Sequence, residues 1–437
     1  MNQMNKIDKR LKICMVALGC AKNRVDAEIM LDLLVNRGYE IIDSLEECDV
    51  AIIHTCTFIE AANTESIDFI LQAGLLKKEG KIKKIIISGC MAQRYKDEIV
   101  ATLPEIDAVL GSKSFNHIIE AIESIGRYEH FTDLAYPTPE GNRILTSSNF
   151  SVYLKIADGC SNHCSYCVIP SVRGEFIPRN FNDILNEAKL LAENGAKEIN
   201  IIAQDTTKYP ELCKLLKQIC EIDGIKWIRI LYCRPEGITN ELLEIINNEE
   251  KIVKYIDIPF QHASKKILKL MNRTGDEKVL LELIEKIRKK VAGIAVRTTF
   301  ITGFPKEDEQ DFEILCNFIK QAKFENLGVF SYSRENGTKA GKMHGQIDGE
   351  TAKKRTEVVM DMQYRLLNNI NSAFLGNVFD VLVESYEEPF FVGRTYFQAP
   401  EIDGNVYFTA KNNVTIGEFV KVKLNEYNDY DFFGDEI

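Results

Sequence analysis

Three cysteines lie close together in the pattern Cys160-x-x-x-Cys164-x-x-Cys167. Three thiolates on one short loop can hold three irons of a cubane iron–sulfur cluster, whereas a full set of protein ligands is normally four. The fourth iron then keeps an open position, which a metal centre needs in order to bind a reactant. The amino and carboxylate groups of S-adenosylmethionine (SAM) can chelate such an iron, and an electron from the cluster can then break the sulfonium bond.

A zinc loop is the alternative for this motif, completed by His163 or by a distant residue. No second C-x-x-C pair in the sequence completes it, so the cluster is favoured. Tyr166 precedes the last cysteine and can pack either on the adenine ring of SAM or in the protein core. We favour the contact with the cofactor.

A second set of cysteines, Cys20, Cys56 and Cys90, is spread along the chain, but each follows a predicted strand. In an open parallel sheet, ligands gather beyond the carboxyl ends of the strands. We therefore expect these cysteines to converge on a second cluster, with Gly19 and Gly89 allowing close approach of the backbone. Buried structural cysteines are the alternative, because free cysteine is common in protein cores.

The remaining cysteines are expected to be structural, because strand-like, apolar or helical sequence surrounds them; they are Cys14, Cys48, Cys213, Cys220, Cys233 and Cys316. The six histidines show no pair at metal-ligand spacing. His54 and His262 stand near predicted strand ends, where either could face a site.

Composition narrows the class of protein. A chain of 437 residues predicts two or three domains, and 54 basic against 65 acidic residues exclude a general nucleic-acid-coating role. Twelve cysteines are too sparse for a disulfide scaffold and indicate a reducing compartment. The apolar stretch Ile13–Leu18 after the basic residues Lys6 to Arg10 is short for a secretory signal, and no apolar run reaches the length of a spanning helix. We expect a cytoplasmic protein with no membrane partner.

Short apolar runs alternate with helical patterns along most of the chain, which predicts an α/β fold. The first runs, Ile13–Leu18, Val50–His54 and Lys84–Ser88, predict an open parallel-sheet domain over residues 10–128. Pro137, Pro139 and Gly141 then indicate a linker, residues 129–145.

The alternation resumes over residues 146–375 and predicts a partial (β/α)6 barrel closed by a long helix from Thr351 to about Phe374. The six predicted strands are Val152–Ile156, Glu198–Ala203, Trp227–Cys233, Tyr255–Phe260, Ala295–Ile301 and Leu327–Tyr332. Residues 376–437 lose the helical period and predict a small all-β module with strands at Val378–Glu384, Asn405–Thr409 and Glu418–Leu424.

These motifs resemble the radical SAM methylthiotransferases over essentially the whole chain. The resemblance is carried by Gly19-Cys20-Ala21-Lys22-Asn23 with Val25-Asp26, Thr55-Cys56, Gly89-Cys90-Met91-Ala92-Gln93-Arg94 and the loop of Cys160, Cys164 and Cys167. Four further stretches resemble the branch that modifies a ribosomal protein; they are 169–174, 203–207, 257–264 and 399–404. His54 departs from the asparagine that the family usually has before Thr-Cys.

The resemblance implies an N-terminal cluster domain, a radical SAM barrel and a C-terminal barrel of the TRAM type. It also implies two 4Fe–4S clusters, SAM, and methylthiolation of the β-carbon of an aspartate in small-subunit ribosomal protein twelve. The C–H bond of that carbon is unactivated, so a cofactor must carry the chemistry, and no catalytic acid or base is assigned. The cluster on Cys20, Cys56 and Cys90 would hold the sulfur, and a second SAM would supply the methyl group.

Gln204, Asp205 and Arg297 lie at or near predicted strand ends of the barrel and are candidates for binding SAM. Ordinary polar residues at strand ends are the alternative. An electron donor such as flavodoxin or ferredoxin is expected as a partner.

The charge of the C-terminal module is evidence about the substrate that does not depend on the family resemblance. Residues 376–437 contain five Asp and seven Glu against three Lys and one Arg, which suits a basic protein and repels phosphate. A solvated acidic surface is the alternative. Two other functions remain open, a tRNA adenosine methylthiotransferase like MiaB and an iron–sulfur carrier. Tight tRNA binding is not expected.

Overall fold

A computed structural model describes residues 11–132, 143–410 and 413–437. The predicted linker residues Pro137, Pro139 and Gly141, and the basic residues Lys6 to Arg10, lie outside these ranges. The described residues form two compact units, one of residues 11–132, 143–146, 157–163 and 167–183 and the other of residues 147–156, 164–166, 184–410 and 413–437. Within the described ranges, no helix has both the length and the apolar character needed to cross a membrane.

Helices and strands alternate through most of the chain. The elements up to residue 193 are β1 (Lys12–Ala17), α1 (Ala21–Arg37), β2 (Glu40–Ile41), β3 (Val50–Thr55), α2 (Glu60–Lys78), β4 (Lys84–Gly89), α3 (Cys90–Arg94), α4 (Lys96–Thr102), β5 (Ala108–Leu110), α5 (Ile118–Glu123), β6 (Tyr128–His130), β7 (Ser151–Lys155), β8 (Ala157–Asp158), α6 (Ile169–Arg173), β9 (Ile177–Pro178) and α7 (Phe181–Glu193).

The elements that follow are β10 (Glu198–Ile202), α8 (Leu212–Cys220), β11 (Trp227–Ile230), α9 (Asn240–Asn248), β12 (Ile252–Asp257), α10 (Lys265–Leu270), α11 (Glu277–Lys290), β13 (Ala295–Thr302), α12 (Glu309–Ala322), β14 (Asn326–Ser331), α13 (Gly349–Asn371), β15 (Val378–Glu387), β16 (Phe390–Arg394), β17 (Val406–Thr409), β18 (Phe419–Asn428) and β19 (Asp431–Glu436). Short 3₁₀ turns lie at Phe115–His117, Thr206–Lys208, Pro235–Gly237, Ala340–Lys342 and Ser372–Phe374.

The first unit contains the predicted open parallel sheet, with strand order β2-β1-β3-β4-β5-β6. Every residue of β3 is buried, because helices cover both faces of such a sheet. The three predicted strands correspond to β1, β3 and β4. Three shorter strands, β2, β5 and β6, were not predicted, because two or three residues carry too little pattern.

The second unit contains six parallel strands in the order β14-β13-β12-β11-β10-β7, and this confirms the partial (β/α)6 barrel. Four buried phenylalanines, Phe260, Phe300, Phe318 and Phe324, pack with ring centroids 5.8–6.0 Å apart and form part of its core. The long helix predicted after the strands is α13, followed by a 3₁₀ turn.

The last strands close into a barrel in the order β15-β16-β17-β19-β18, which confirms the all-β module. Strands β16 and β19 were not predicted. Each contains a glycine, Gly393 or Gly434, which interrupts the alternation by which a strand is identified. The domain boundaries themselves stay predictions.

A buried ion network joins this barrel to the parallel sheet within the second unit. Glu198 of β10 lies 2.6 Å from Arg394 Nη2 of β16 and 3.0 Å from Arg229 Nε of β11. Ser151 Oγ donates to the same carboxylate at 2.7 Å. Burial opposes the charge of Glu198, but the two guanidinium groups outweigh it and lower its pKa to about 2.

Candidate functional site

Three cysteines of the first unit, Cys20, Cys56 and Cys90, lie at one edge of its sheet and are called here the cysteine set of the first unit. Cys20 precedes α1 just beyond β1, Cys56 directly follows β3, and Cys90 directly follows β4. Strands β1, β3 and β4 are parallel neighbours, so their carboxyl ends meet. A Cβ on Gly19, at φ +94°, would lie 2.7 Å from Cys56 Sγ, so the backbone before Cys20 contacts the Cys56 side chain directly.

Asn23 holds these strand ends together. Its Nδ2 donates to Leu18 O and to Thr55 O, both at 2.9 Å, and these carbonyls follow β1 and end β3. Its Oδ1 accepts from Cys90 Sγ at 3.5 Å and from Arg173 Nη2. One buried side chain therefore contacts all three strand ends that carry the cysteines. The sequence did not predict this role, although Asn23 follows Cys20 in the Gly19-Cys20-Ala21-Lys22-Asn23 motif.

The three thiols fit a positively charged metal cluster. Burial raises the pKa of Cys90 to about 12; Arg173 acts against this, while the neighbouring Cys20 and Cys56 raise it further. Burial also raises the pKa of Cys56, whereas at Cys20 the nearby Lys22 and Arg173 outweigh burial and lower the pKa. A coordinated metal deprotonates a thiol outright, so bound irons would offset the burial of Cys56 and Cys90. Among the described residues, no group of three or more His, Cys, Asp or Glu is arranged to hold a metal ion. The ligands of a cubane cluster each bind a separate iron, so they lie farther apart than the ligands of a single metal ion.

The other three cysteines lie on the loop between β8 and α6, and each sulfur has an N–H donor. Asn162 Nδ2 donates to Cys160 Sγ at 3.3 Å, and Ile169 N donates to Cys167 Sγ at 3.4 Å. In the second unit, Arg234 Nη1 donates to Cys164 Sγ at 3.3 Å. N–H donors of this kind stabilise thiolates, so the loop fits the ligands of an iron–sulfur cluster.

His163, the residue considered for a zinc site, is exposed. Its Nε2 lies 3.3 Å from Glu175 Oε1. This arrangement does not support the zinc alternative, since no three-ligand group is found in the described part of the chain.

The residues predicted to bind SAM lie in the second unit. Tyr166 is half-buried against Ile267, Met271 and Phe304, and its hydroxyl accepts from Arg273 Nη1 at 3.4 Å.

Gln204 and Asp205 follow β10, and Asp205 Oδ1 accepts from Thr207 Oγ1 at 2.8 Å. Arg297 of β13 pairs with Asp257 Oδ1 at 3.1 Å and with Asp403 Oδ1 at 3.2 Å. Their binding of SAM, like that of Tyr166, stays a prediction.

The two histidines near strand ends are fully buried. His54 lies against Gly89, whose added Cβ would be 3.1 Å from the His54 ring, so it adjoins the cysteine set of the first unit. His262 lies 3.4 Å from Glu307 and accepts from Ser264 N at 2.9 Å. None of the twelve cysteines forms a disulfide bond.

Comparison with known families agrees with these two donor sets. Residues 12–111 match the uncharacterized protein family UPF0004, residues 154–319 match the radical SAM superfamily, and residues 375–437 match the TRAM domain. The fold and the cysteine loop together define a radical SAM enzyme.

Solved structures share the fold. The radical SAM methyltransferase TsrM from Kitasatospora setae superposes with a TM-score of 0.53 at 13% identity, over 73% of this chain and 72% of that one. The cobalamin-dependent SAM radical enzyme OxsB gives 0.52 at 12% identity, over 82% of this chain and 56% of that one. At these identities the likeness concerns the fold alone.

Curated relatives identify the family. The ribosomal protein uS12 methylthiotransferase RimO of Clostridium botulinum (strain Eklund 17B / Type B) is 47% identical, over 97% of this chain and 98% of that protein. The RimO protein of Clostridioides difficile (strain 630) is 43% identical, over 98% and 99%. The chain belongs to the RimO family of radical SAM methylthiotransferases, whose cofactors are two 4Fe–4S clusters and SAM.

Proposed function

We propose that this enzyme attaches a methylthio group to the β-carbon of an aspartate in ribosomal protein uS12. The observation that carries the proposal is the second cysteine set. Cys20, Cys56 and Cys90 lie at the ends of three neighbouring strands, in addition to the SAM-type loop, in a chain whose full-length relatives are named uS12 methylthiotransferases. A carrier or a simple SAM-cleaving enzyme needs one cluster only.

The reaction explains why two donor sets are needed. An aspartate β-carbon has no acidic proton at neutral pH, so side chains alone cannot open its C–H bond. When bound, the clusters and SAM supply the radical and the sulfur. The chain's own residues position these groups and exclude water.

The hydrogen-bond donors at each set have separate tasks. Asn162, Ile169 N and Arg234 each donate to one sulfur of the cysteine loop, which favours the thiolate form. Asn23 fixes the strand ends of the other set. We assign Gln204 and Asp205 to SAM binding because they follow the carboxyl end of β10, and Tyr166 because it lies on the cysteine loop. Arg297 lies near the start of β13, where it pairs with Asp257 and Asp403, and its assignment rests on the sequence alone.

Charge on the C-terminal barrel supports a basic protein as the substrate. Its one arginine, Arg394, is fully buried in ion pairs with Glu198 and Glu384, so it contributes no positive surface charge. Among the described residues of the barrel, exposed acidic side chains lie at 380, 387, 388, 401, 418, 426, 429 and 435, against exposed lysines at 421 and 423. Ribosomal proteins neutralise RNA and are typically basic, so this surface attracts such a protein and repels tRNA.

Aromatic side chains on the same barrel add a second attraction. The Tyr407 and Phe433 rings stack with centroids 5.4 Å apart, and Phe390 packs edge-on against both rings, at 6.5 and 6.3 Å. All three are partly exposed. Arginine and lysine side chains of a basic protein bind favourably to such ring faces.

The test uses anaerobically reconstituted enzyme, a chemical reductant and SAM, with uS12 or tRNA as the substrate. We expect a methylthio mass increase on one uS12 aspartate and no modified adenosine in the tRNA digest. Modified adenosine, or tight tRNA binding, would overturn the assignment in favour of the tRNA-modifying alternative. SAM should also perturb the spectrum of the reduced cluster, whereas a carrier would be indifferent.

The physiological electron donor is proposed to be a small flavodoxin or ferredoxin. A reducing cytoplasm suits this enzyme, because cysteines that form no disulfide bond persist there. Whether the substrate is free uS12 or the ribosomal particle is decided by running both in the same assay.

A further inference from the structure

Arg173 is a buried arginine that the cluster chemistry described above does not use. It ends α6, six residues after Cys167, and its side chain is 1% exposed. Its Nη1 donates to Asp26 Oδ2 at 3.0 Å and to the two carboxylate oxygens of Asp158 at 3.2 and 3.1 Å. Both aspartates are fully buried, so the three charges depend on one another.

On one side, Arg173 contacts the residue that organises the cysteine set of the first unit. Its Nη2 donates to Asn23 Oδ1, the oxygen that also accepts from Cys90 Sγ. Val172 of α6 and Val168, which directly precedes the helix, form a buried cluster with Cys90. The helix and its terminal guanidinium therefore lie directly against the cysteine that follows β4.

On the other side, Arg173 holds the start of the loop that carries Cys160. Asp158 precedes that cysteine by two residues, and its Oδ1 also accepts from Gly159 N at 2.9 Å. Cys160 N donates to Gly174 O at 3.0 Å, so the residue after Arg173 is bonded to the loop as well. Within the first unit, one guanidinium thus connects the segment of Cys160 to the set of Cys20, Cys56 and Cys90.

Such an arrangement is costly as a purely structural device. Burying each ion costs several kcal/mol, and well-packed apolar residues are often as stable or more so. The planar fork of arginine lets one residue reach Asn23, Asp26 and Asp158 together, which the point charge of lysine cannot do. A buried cation beside thiolate ligands also has an electrostatic effect, because nearby charge and hydrogen bonds set the reduction potential of an iron–sulfur cluster.

We propose that Arg173 is a positioning residue for the cluster on Cys20, Cys56 and Cys90: its charge favours the reduced state of that cluster, and its hydrogen bonds hold Asn23 and the Cys160 segment in one fixed arrangement. This inference rests on the ligand assignment made under the proposed function.

The test measures a potential rather than activity. In the full chain carrying Cys160→Ala, Cys164→Ala and Cys167→Ala, only the cluster on Cys20, Cys56 and Cys90 remains, and its midpoint potential can be titrated by electron paramagnetic resonance. Arg173→Met should lower that potential by at least the equivalent of a tenfold change in the one-electron equilibrium, about 59 mV. Arg173→Lys keeps the charge and should give a smaller shift of the same sign.

Arg143→Met is the matched control. Arg143 is also an arginine of the first unit with a buried side chain, and it pairs with the buried Glu28 of α1. It should leave the potential unchanged.

Unchanged potentials in both Arg173 variants, with iron retained, would overturn the inference. If Arg173→Met does not retain its iron, Arg173→Lys provides the test. A lowered midpoint potential supports the inference, and an unchanged potential overturns it. The ligand assignment is tested separately. It is wrong if the variant with Cys20→Ala, Cys56→Ala and Cys90→Ala retains its full iron content.

Discussion

Gly19 is the residue whose replacement most directly tests the cysteine set of the first unit. Its φ of +94° lies in the left-handed region, and an added Cβ would lie 2.7 Å from Cys56 Sγ. Gly19→Ala therefore combines backbone strain of about 1–2 kcal/mol with a clash against a cluster ligand. We expect loss of up to half of the iron after reconstitution, measured by metal analysis.

Gly80→Ala is the matched control for this change. Gly80 has a similar φ of +76°, but an added Cβ there would meet no atom within 4 Å. Gly80→Ala should introduce similar backbone strain but retain its iron. Equal iron loss in both variants would show that strain alone, rather than contact with Cys56, is responsible.

The two cysteine sets should be separable by mutation. Replacing Cys160, Cys164 and Cys167 by Ala should remove about half of the iron and abolish deoxyadenosine formation, because SAM then has no open iron to bind. Replacing Cys20, Cys56 and Cys90 should remove the other half and leave SAM cleavage intact. Metal analysis and chromatography of deoxyadenosine measure both effects. SAM cleavage by the first variant would contradict the assignment of the loop.

At the scale of elements, the buried network around Glu198 links β10 and β11 to β16. Removing one partner of a buried ion pair leaves an uncompensated charge and costs about 3–5 kcal/mol. Glu198→Gln should therefore lower the free energy of unfolding by about that amount at pH 7. Denaturant titration followed by circular dichroism measures it, with the exposed Glu282→Gln of α11 as a control that stays within about 0.5 kcal/mol.

The same network predicts a pH dependence. The pKa of Glu198 is lowered from 4.5 to about 2, so its ion pairs stabilise the fold fully above pH 4.5. That contribution is lost as the pH falls from 4.5 towards 2, when the carboxylate takes up a proton. The stability difference between wild type and Glu198→Gln should narrow over this range. A constant difference down to pH 3 would exclude the network as its source.

For the whole molecule, the structure changes how substrate recognition should be tested. Deleting residues 376–437 removes Arg394 and leaves the buried Glu198 without this ion-pair partner. A loss of binding by the truncated protein could then result from lower stability rather than from loss of the recognition surface. Reversing the exposed Glu387 and Glu388 to Lys avoids this problem. We expect slower association with uS12 and a weaker dependence of affinity on salt, because surface charges act mainly on association rate. Surface plasmon resonance at several ionic strengths measures both.

A charge-matched control comes from α11. Glu282→Lys with Glu285→Lys changes the net charge by the same amount, at exposed positions outside the C-terminal barrel. It should leave the association rate closer to that of the wild type. An equal loss in both variants would indicate attraction by overall charge rather than by the barrel.

The sequence alone predicts the class of chemistry and the two parallel sheets. The spacing of Cys160, Cys164 and Cys167 predicts a cluster ligand set because three residues on one loop need no distant chain to bring them together. The alternation of strands and helices predicts the two parallel sheets, because it reflects burial along the local chain. The convergence of Cys20, Cys56 and Cys90 was also predictable, since parallel strands end at one edge.

What the sequence could not provide is the set of partners that come from distant parts of the chain. Arg173 and Asn23 are 150 residues apart, and Glu198 pairs with Arg394 from another β-sheet; no local pattern relates such residues. The short strands β2, β5 and β6, and the glycine-containing β16 and β19, likewise form because neighbouring strands are already present to pair with them. Tertiary structure decided the strands by supplying pairing partners. It decided the ion pairs because a buried charge is tolerated only where the folded chain supplies the opposite charge.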